Sequence, residues 1–103
     1  MFKMFLDIHA HSAMNSIFSY APMHEKEQQA LECQKFIKIL DTMSNYFSAE
    51  NSKFGNEKYK KNCARLGITR DFDLINSYTI ESSCWGYDVM VKDEDGEEDW
   101  VVE

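Results

Sequence analysis

The stretch Phe5-Leu6-Asp7-Ile8-His9-Ala10-His11-Ser12 is an apolar run that leads into two histidines spaced i, i+2 and then a hydroxyl residue. Residues 2–8 are almost continuously apolar, with Lys3 and Asp7 as exceptions near the ends, the pattern of a strand buried on both faces. Residues 9–16 then read as a loop at the strand's C-terminal edge, the edge where open α/β sheets bind ligands. A second stretch, Asn76-Ser77-Tyr78-Thr79-Ile80-Glu81, has the same form: a short strand ending in one titratable group. One imidazole and one carboxylate, each at a strand end, are the candidate site.

Working outward, Ile17-Phe18-Ser19-Tyr20 reads as a second short strand, closed by Ala21-Pro22. From residue 25 the period changes. Ala30, Cys33, Ile37 and Leu40 recur at helical spacing, with Glu25, Glu27, Lys35 and Lys38 mostly opposite. This predicts an amphipathic helix of about five turns, acidic toward its N-terminus where the helix dipole favours negative charge, ending near residues 41–45. Residues 46–61 are polar and irregular, with Gly55 as a turn signal, and residues 65–68 start another strand or a helical turn. The tail, residues 87–103, reads as a hairpin with Asp95-Gly96 as the turn dipeptide, and its acidic run reads as a solvated turn. No repeat, low-complexity segment or boundary divides residues 1–103, so a single domain with an acidic hairpin tail is expected.

Composition narrows the function. A net charge of −7 disfavours nucleic acid as a partner, because an acidic surface repels phosphate backbones. The basic cluster at residues 58–61, interrupted by Tyr59, reads as a solvated helix face. The three cysteines, Cys33, Cys63 and Cys84, are odd in number, widely spaced and without a CxxC pair. That usage fits a reducing, cytoplasmic setting, and offers no cysteine zinc site. The apolar N-terminus is short and interrupted by Asp7 and His9, so no signal segment or membrane span is expected.

Three residues could carry chemistry. A neutral imidazole at His9 can ligate zinc through one nitrogen while Asp7 or Ser12 orients the other; a buried histidine bonded to backbone fits the same spacing. His11 reads as a loop or supporting residue. Glu81 follows a strand of low polarity, where desolvation suits a general base; a strand-end glutamate facing solvent is the more common outcome. Arg65 is able to hold a substrate carboxylate in bidentate fashion, or to be a surface arginine.

Taken together, the motifs resemble the zinc carboxypeptidases. The histidine stretch, followed by Ile17-Phe18-Ser19-Tyr20, is similar to the cytosolic branch of that family, which trims glutamates from protein tails such as those of tubulin. That branch has Asp-(Leu/Phe)-His-(Gly/Ala)-His-(Ser/Ala) and then Phe-Met-Tyr-Gly. By this resemblance His9 is the third zinc ligand. Phe36-Ile37-Lys38-Ile39-Leu40 resembles the family's Phe-Pro-Lys-(Ile/Leu)-Leu, and residues 76–81 resemble its Asn-Ser-Tyr-Thr-Leu-Glu, which makes Glu81 the catalytic base. Arg65 falls on the arginine of Gly-Thr-Gly-Arg, and Tyr59 stands where the wider superfamily has a mobile, substrate-contacting tyrosine. The likeness covers roughly residues 2–86, the C-terminal half of the family's domain. It implies a partial zinc-carboxypeptidase-like α/β fold: a few strands of a mixed sheet with one long packed helix.

The departures are as informative. The family's other two zinc ligands come from a His-x-x-Glu that precedes the third. Eight residues precede His9 here and hold no such pair. His24-Glu25-Lys26-Glu27 has the right letters but follows His9, and reads as coincidence. The family's basic trio after the histidines is Ala13-Met14-Asn15 here, which weakens the case for an acidic substrate. One ligand cannot hold catalytic zinc, which takes three protein ligands and an open position. The chain is therefore expected to be non-catalytic alone and to serve a larger protein assembly, as part of an enzyme completed by another segment or as a pseudoenzyme turned structural subunit. Zinc enters only where another segment completes the site.

Overall fold

Strands β1 (Phe5–His11), β2 (Phe18–Ala21), β3 (Lys53–Phe54) and β4 (Ser77–Ser83) form one sheet in the order β1-β4-β2-β3. The computed structural model describes residues 3–55 and 63–102. β1 runs parallel to β4, β2 antiparallel to β4, and β3 parallel to β2, so the sheet is mixed as expected. Helix α1 (Glu27–Met43) packs on one face, and α2 (Ala64–Phe72) on the other. Strands β5 (Asp88–Lys92) and β6 (Glu98–Val102) make a separate antiparallel hairpin. No helix among the described residues is long and apolar enough to cross a membrane.

The long helix forms where the apolar stripe places it, over 17 residues, with Glu27 in its first turn. Its stripe buries Cys33 and Ile37 against Ala21, Phe47 and Tyr78, and this cluster is the core. Strand alternation decides which residues of the sheet join it. Tyr78 and Ile80 of β4, with Ser19 and Ala21 of β2, point toward α1; Ser77, Thr79, Glu81, Phe18 and Tyr20 point toward α2. Tyr78 has no exposed surface. Its hydroxyl lies 2.8 Å from both the Cys33 carbonyl of α1 and the Asn76 Oδ1, so its one hydrogen ties the helix or the strand entry at any moment.

Three expectations need correction, and an alternative left open is decided. β1 is not buried on both faces. It lies at the sheet edge, and because α1 sits over β4 and β2, Leu6 is 43 % and Ile8 71 % exposed. The histidines are not in a loop: parallel pairing with β4 continues through His11, which carries β1 three residues further than the apolar run. Of the two readings of residues 65–68 the helical one holds: they lie in α2, a nine-residue helix that ends at Asp73 with left-handed backbone, φ 51°. Gly67 and the β-branched Ile68 and Thr69 weaken its helical signal in the sequence. Finally, the hairpin turn centres on Glu94-Asp95 rather than on Asp95-Gly96. The Gly96 N–H donates to the Asp93 carbonyl at 3.1 Å, and Gly96 follows with φ +80°, which glycine adopts without strain. The basic cluster at residues 58–61, with Tyr59, lies outside the described residues.

Burial, and secondarily its neighbour Cys33, pushes the Tyr78 phenol well above its ordinary value; burial also pushes the Cys33 thiol up. A raised acid favours the neutral folded form, so this stability is complete at neutral pH and drains away as the medium passes roughly pH 9 and the unfolded chain begins to ionise. Urea melts across pH 7 to 11 are expected to show that alkaline decline. Tyr78→Phe is expected to cost about 1 kcal/mol at neutral pH through the lost hydrogen bond, and to make the decline shallower. An unchanged alkaline slope in Tyr78→Phe would refute the assignment.

Candidate active site

The register of β1 against β4 builds the site. His9 pairs with Glu81 and Asp7 with Thr79; across β4, Phe18 pairs with Glu81 and Tyr20 with Thr79. Paired residues on adjacent strands share a face and stand about 5 Å apart. The α2 side therefore carries two rows: His9, Glu81 and Phe18, then Asp7, Thr79 and Tyr20. The two strand-end groups of the sequence are direct neighbours in the fold.

His9 is oriented from within its own strand. Its Nε2 lies 2.8 Å from Asp7 Oδ1, one period-2 step back. With Nε2 donating to the carboxylate, the tautomer is set and the Nδ1 lone pair is left to accept a proton or hold a metal. The His9 side chain is about half exposed, so a ligand can reach it. The alternative of a buried structural histidine does not describe this residue. His11 is the one tied to backbone: its Nε2 lies 2.8 Å from the Ser16 carbonyl, and its ring packs edge-on against Phe18 at 4.6 Å.

Glu81 is partly buried in the middle of its row, between His9 and Phe18. Arg65 enters the same face from α2. It is 3 % exposed; one terminal nitrogen donates to Thr79 Oγ1 at 3.2 Å, and the guanidinium lies 5.2 Å from the Tyr20 ring centroid. The Ser77 hydroxyl and the Thr69 hydroxyl both donate to the Arg65 carbonyl, at 2.6 and 2.8 Å. Arg65 is thus fixed at both backbone and side chain, and its Nε is buried with no hydrogen-bond partner. The fold brings His9, Glu81 and Arg65 to one face. Tyr59 lies outside the described residues.

Sequence reasoning missed Thr79 as the group that holds Arg65. The alternation in Ser77-Tyr78-Thr79-Ile80-Glu81 contains the signal, since it puts Thr79 on the Glu81 side. His24 is no part of the site: its Nε2 lies 2.9 Å from the Ile75 carbonyl, two residues before β4 begins. The strand from Ser77 to Glu81, roughly 13 Å of extended chain, then separates that position from the site.

The residues present do not by themselves fit a catalytic zinc. Among the described residues no group of three His, Cys, Asp or Glu side chains is placed to hold a metal ion, and the other imidazole on that face, His11, has its Nε2 at the Ser16 carbonyl.

Thr79→Val keeps the shape of the row but leaves the buried guanidinium with one more unmet donor. It is expected to lower stability by about 2 kcal/mol, and Thr79→Ser by less, read from urea midpoints. Equal melting of Thr79→Val and the parent chain would show that Arg65 does not depend on this bond.

No profile of a known protein family matches the chain. A curated mouse protein, cytosolic carboxypeptidase 4, is 30 % identical over 95 residues, which covers 80 % of this chain and 8 % of that protein. Among solved structures, the metallo-carboxypeptidase from Burkholderia cenocepacia shares the fold with a TM-score of 0.65 at 25 % identity, over 79 % of this chain and 21 % of that one. The chain thus spans under a tenth of the curated relative and about a fifth of the solved one. By this sequence match and the shared fold, the chain belongs to the zinc carboxypeptidase family, of which it carries a segment.

Proposed function

We propose that this chain is one part of a carboxypeptidase-type site, non-catalytic on its own, and works as a component of a larger protein assembly. The observation that carries the reading is the in-register pairing of His9 with Glu81 on a single, partly open face. In this reading His9 is one metal ligand and Glu81 the general base that takes a proton from an attacking water. Arg65 adds a buried positive charge one row away, which favours an anionic group such as a substrate carboxylate above that face. Zinc would need further donors from another segment.

The same strand says where that segment belongs. β1 has no partner on its outer edge among the described residues, and its Leu6 and Ile8 are exposed on the side away from the site. A segment that adds a strand there would satisfy the open backbone, cover the two apolar side chains, and bring its own side chains beside His9. The curated relative's name places that protein in the cytosol, and a cytoplasmic setting is part of the proposal.

A second reading, an active carboxypeptidase formed with the completing segment, is favoured by the Asp7–His9 bond, which leaves the free imidazole nitrogen on the open face. Metal analysis of the purified native assembly separates the two. Stoichiometric zinc that disappears in His9→Ala supports the active form, and Glu81→Gln is then expected to keep the metal while C-terminal residue release falls by about a thousandfold or more. Absence of zinc from the native assembly makes His9 and Glu81 relics and leaves the structural role.

A further inference from the structure

The charge of this chain is concentrated in one element. Residues 88–103 hold eight of its eighteen acidic residues and one of its eleven basic ones, a net charge of −7 that equals the total; residues 1–87 hold ten of each sign. The acidic run is therefore more than a solvated turn: it sits on a hairpin that is otherwise apolar. β5 and β6 pair only with each other, and among the described residues nothing adds to the outer edge of β6. Met90, Val91, Trp100, Val101 and Val102 are all exposed, Trp100 by 62 %. A two-stranded ribbon with apolar faces is marginal in water without something to cover it.

One face of the ribbon has a defined groove of about 320 Å³, lined by Val91, Val101, Asp93, Glu97, Glu98 and Asp99. Its floor is the two valines and its rim is three carboxylates, those of Asp93, Glu97 and Asp99; the Glu98 side chain alternates to the other face, beside Lys92. Part of the rim is already engaged: one Asp93 oxygen accepts the Glu97 N–H at 2.7 Å, and one Asp99 oxygen accepts the Trp100 N–H at 2.8 Å. Those bonds hold the carboxylates in place while Glu97 and the second oxygens stay available. An aliphatic stem lying on valines with a cationic head among carboxylates is how lysine and arginine side chains bind amphipathic surfaces.

We propose that the β5–β6 hairpin is a docking arm for a lysine- or arginine-rich extended segment of another protein. Backbone pairing along β6 supplies register, and the groove selects for a basic side chain on alternate residues. This inference is independent of the assignment of His9 and Glu81, which lie on the other sheet.

The test uses the full chain, tethered through an N-terminal tag and titrated with a labelled (Lys-Val)₄ peptide. Saturable binding is expected, weakened about tenfold in Glu97→Gln/Asp99→Asn and several-fold in Val101→Ser, with Trp100 fluorescence unchanged as a check on the hairpin. Glu25→Gln/Glu27→Gln removes the same charge around the N-terminus of α1 and is expected to leave the affinity within about twofold. The proposal is overturned if the peptide fails to saturate the chain. It is overturned equally if both charge pairs weaken binding alike, which is long-range attraction, or if sedimentation of the chain alone shows a dimer lost in Trp100→Ser, which makes a second copy the occupant.

Discussion

The parallel pairing of β1 with β4 is the constraint on which both the core and the site depend. Side chains alternate across a sheet, so one register assigns every residue of both strands to a face. With Leu6 opposite Tyr78 and His9 opposite Glu81, Leu6, Ile8, Tyr78 and Ile80 take the α1 side, and Asp7, His9, Thr79 and Glu81 take the α2 side together with Phe5. A slip of one residue would turn Tyr78 out of the core and send Glu81 into it. The burial of Tyr78 against Cys33 and Phe36 therefore also fixes the pairing of His9 with Glu81, although none of those core residues touches the site.

How much of this is legible in the sequence follows from which signals are local. The α1 stripe, the β2 and β4 strands and the hairpin are each written in a few adjacent residues, and each forms where its pattern lies. What the chain lacks is a local mark of tertiary neighbours. Residues 2–8 look buried on both faces because apolar letters record a tendency to be covered, and Leu6 and Ile8 have that tendency without the cover. α2 is obscured by a glycine and two β-branched residues, and is held in place by Ser77 and Thr79 of a distant strand. The site divides in the same way. His9, Glu81 and Asp7 could be named from strand ends and alternation, whereas the burial of Arg65 is visible only once α2 is set against β4.

Arg65 shows how closely site and scaffold are joined on this face. A guanidinium with 3 % exposure and an unpartnered Nε carries a desolvation cost. The Thr79 bond and the Tyr20 ring offset part of it, and both of those residues lie in the row next to His9 and Glu81. A charge kept where an apolar side chain would pack more cheaply is what a functional face looks like, since the positive potential reaches the neighbouring row at low dielectric.

The exposed edge of β1 and the incomplete donor set around His9 are one problem seen from two sides. A strand that ended its sheet in a finished domain would carry charge, a bulge or a proline on that edge. Leu6 and Ile8 provide none of these, and the two residues between and after them, Asp7 and His9, face the site. In the proposed assembly, a strand paired along that edge would run beside both sets, because they alternate along one backbone at about 3.3 Å per residue. On that proposal, covering the apolar side chains and supplying donors to the imidazole fall to one strand: its residues on one face meet Leu6 and Ile8, and the alternate residues reach the His9 side.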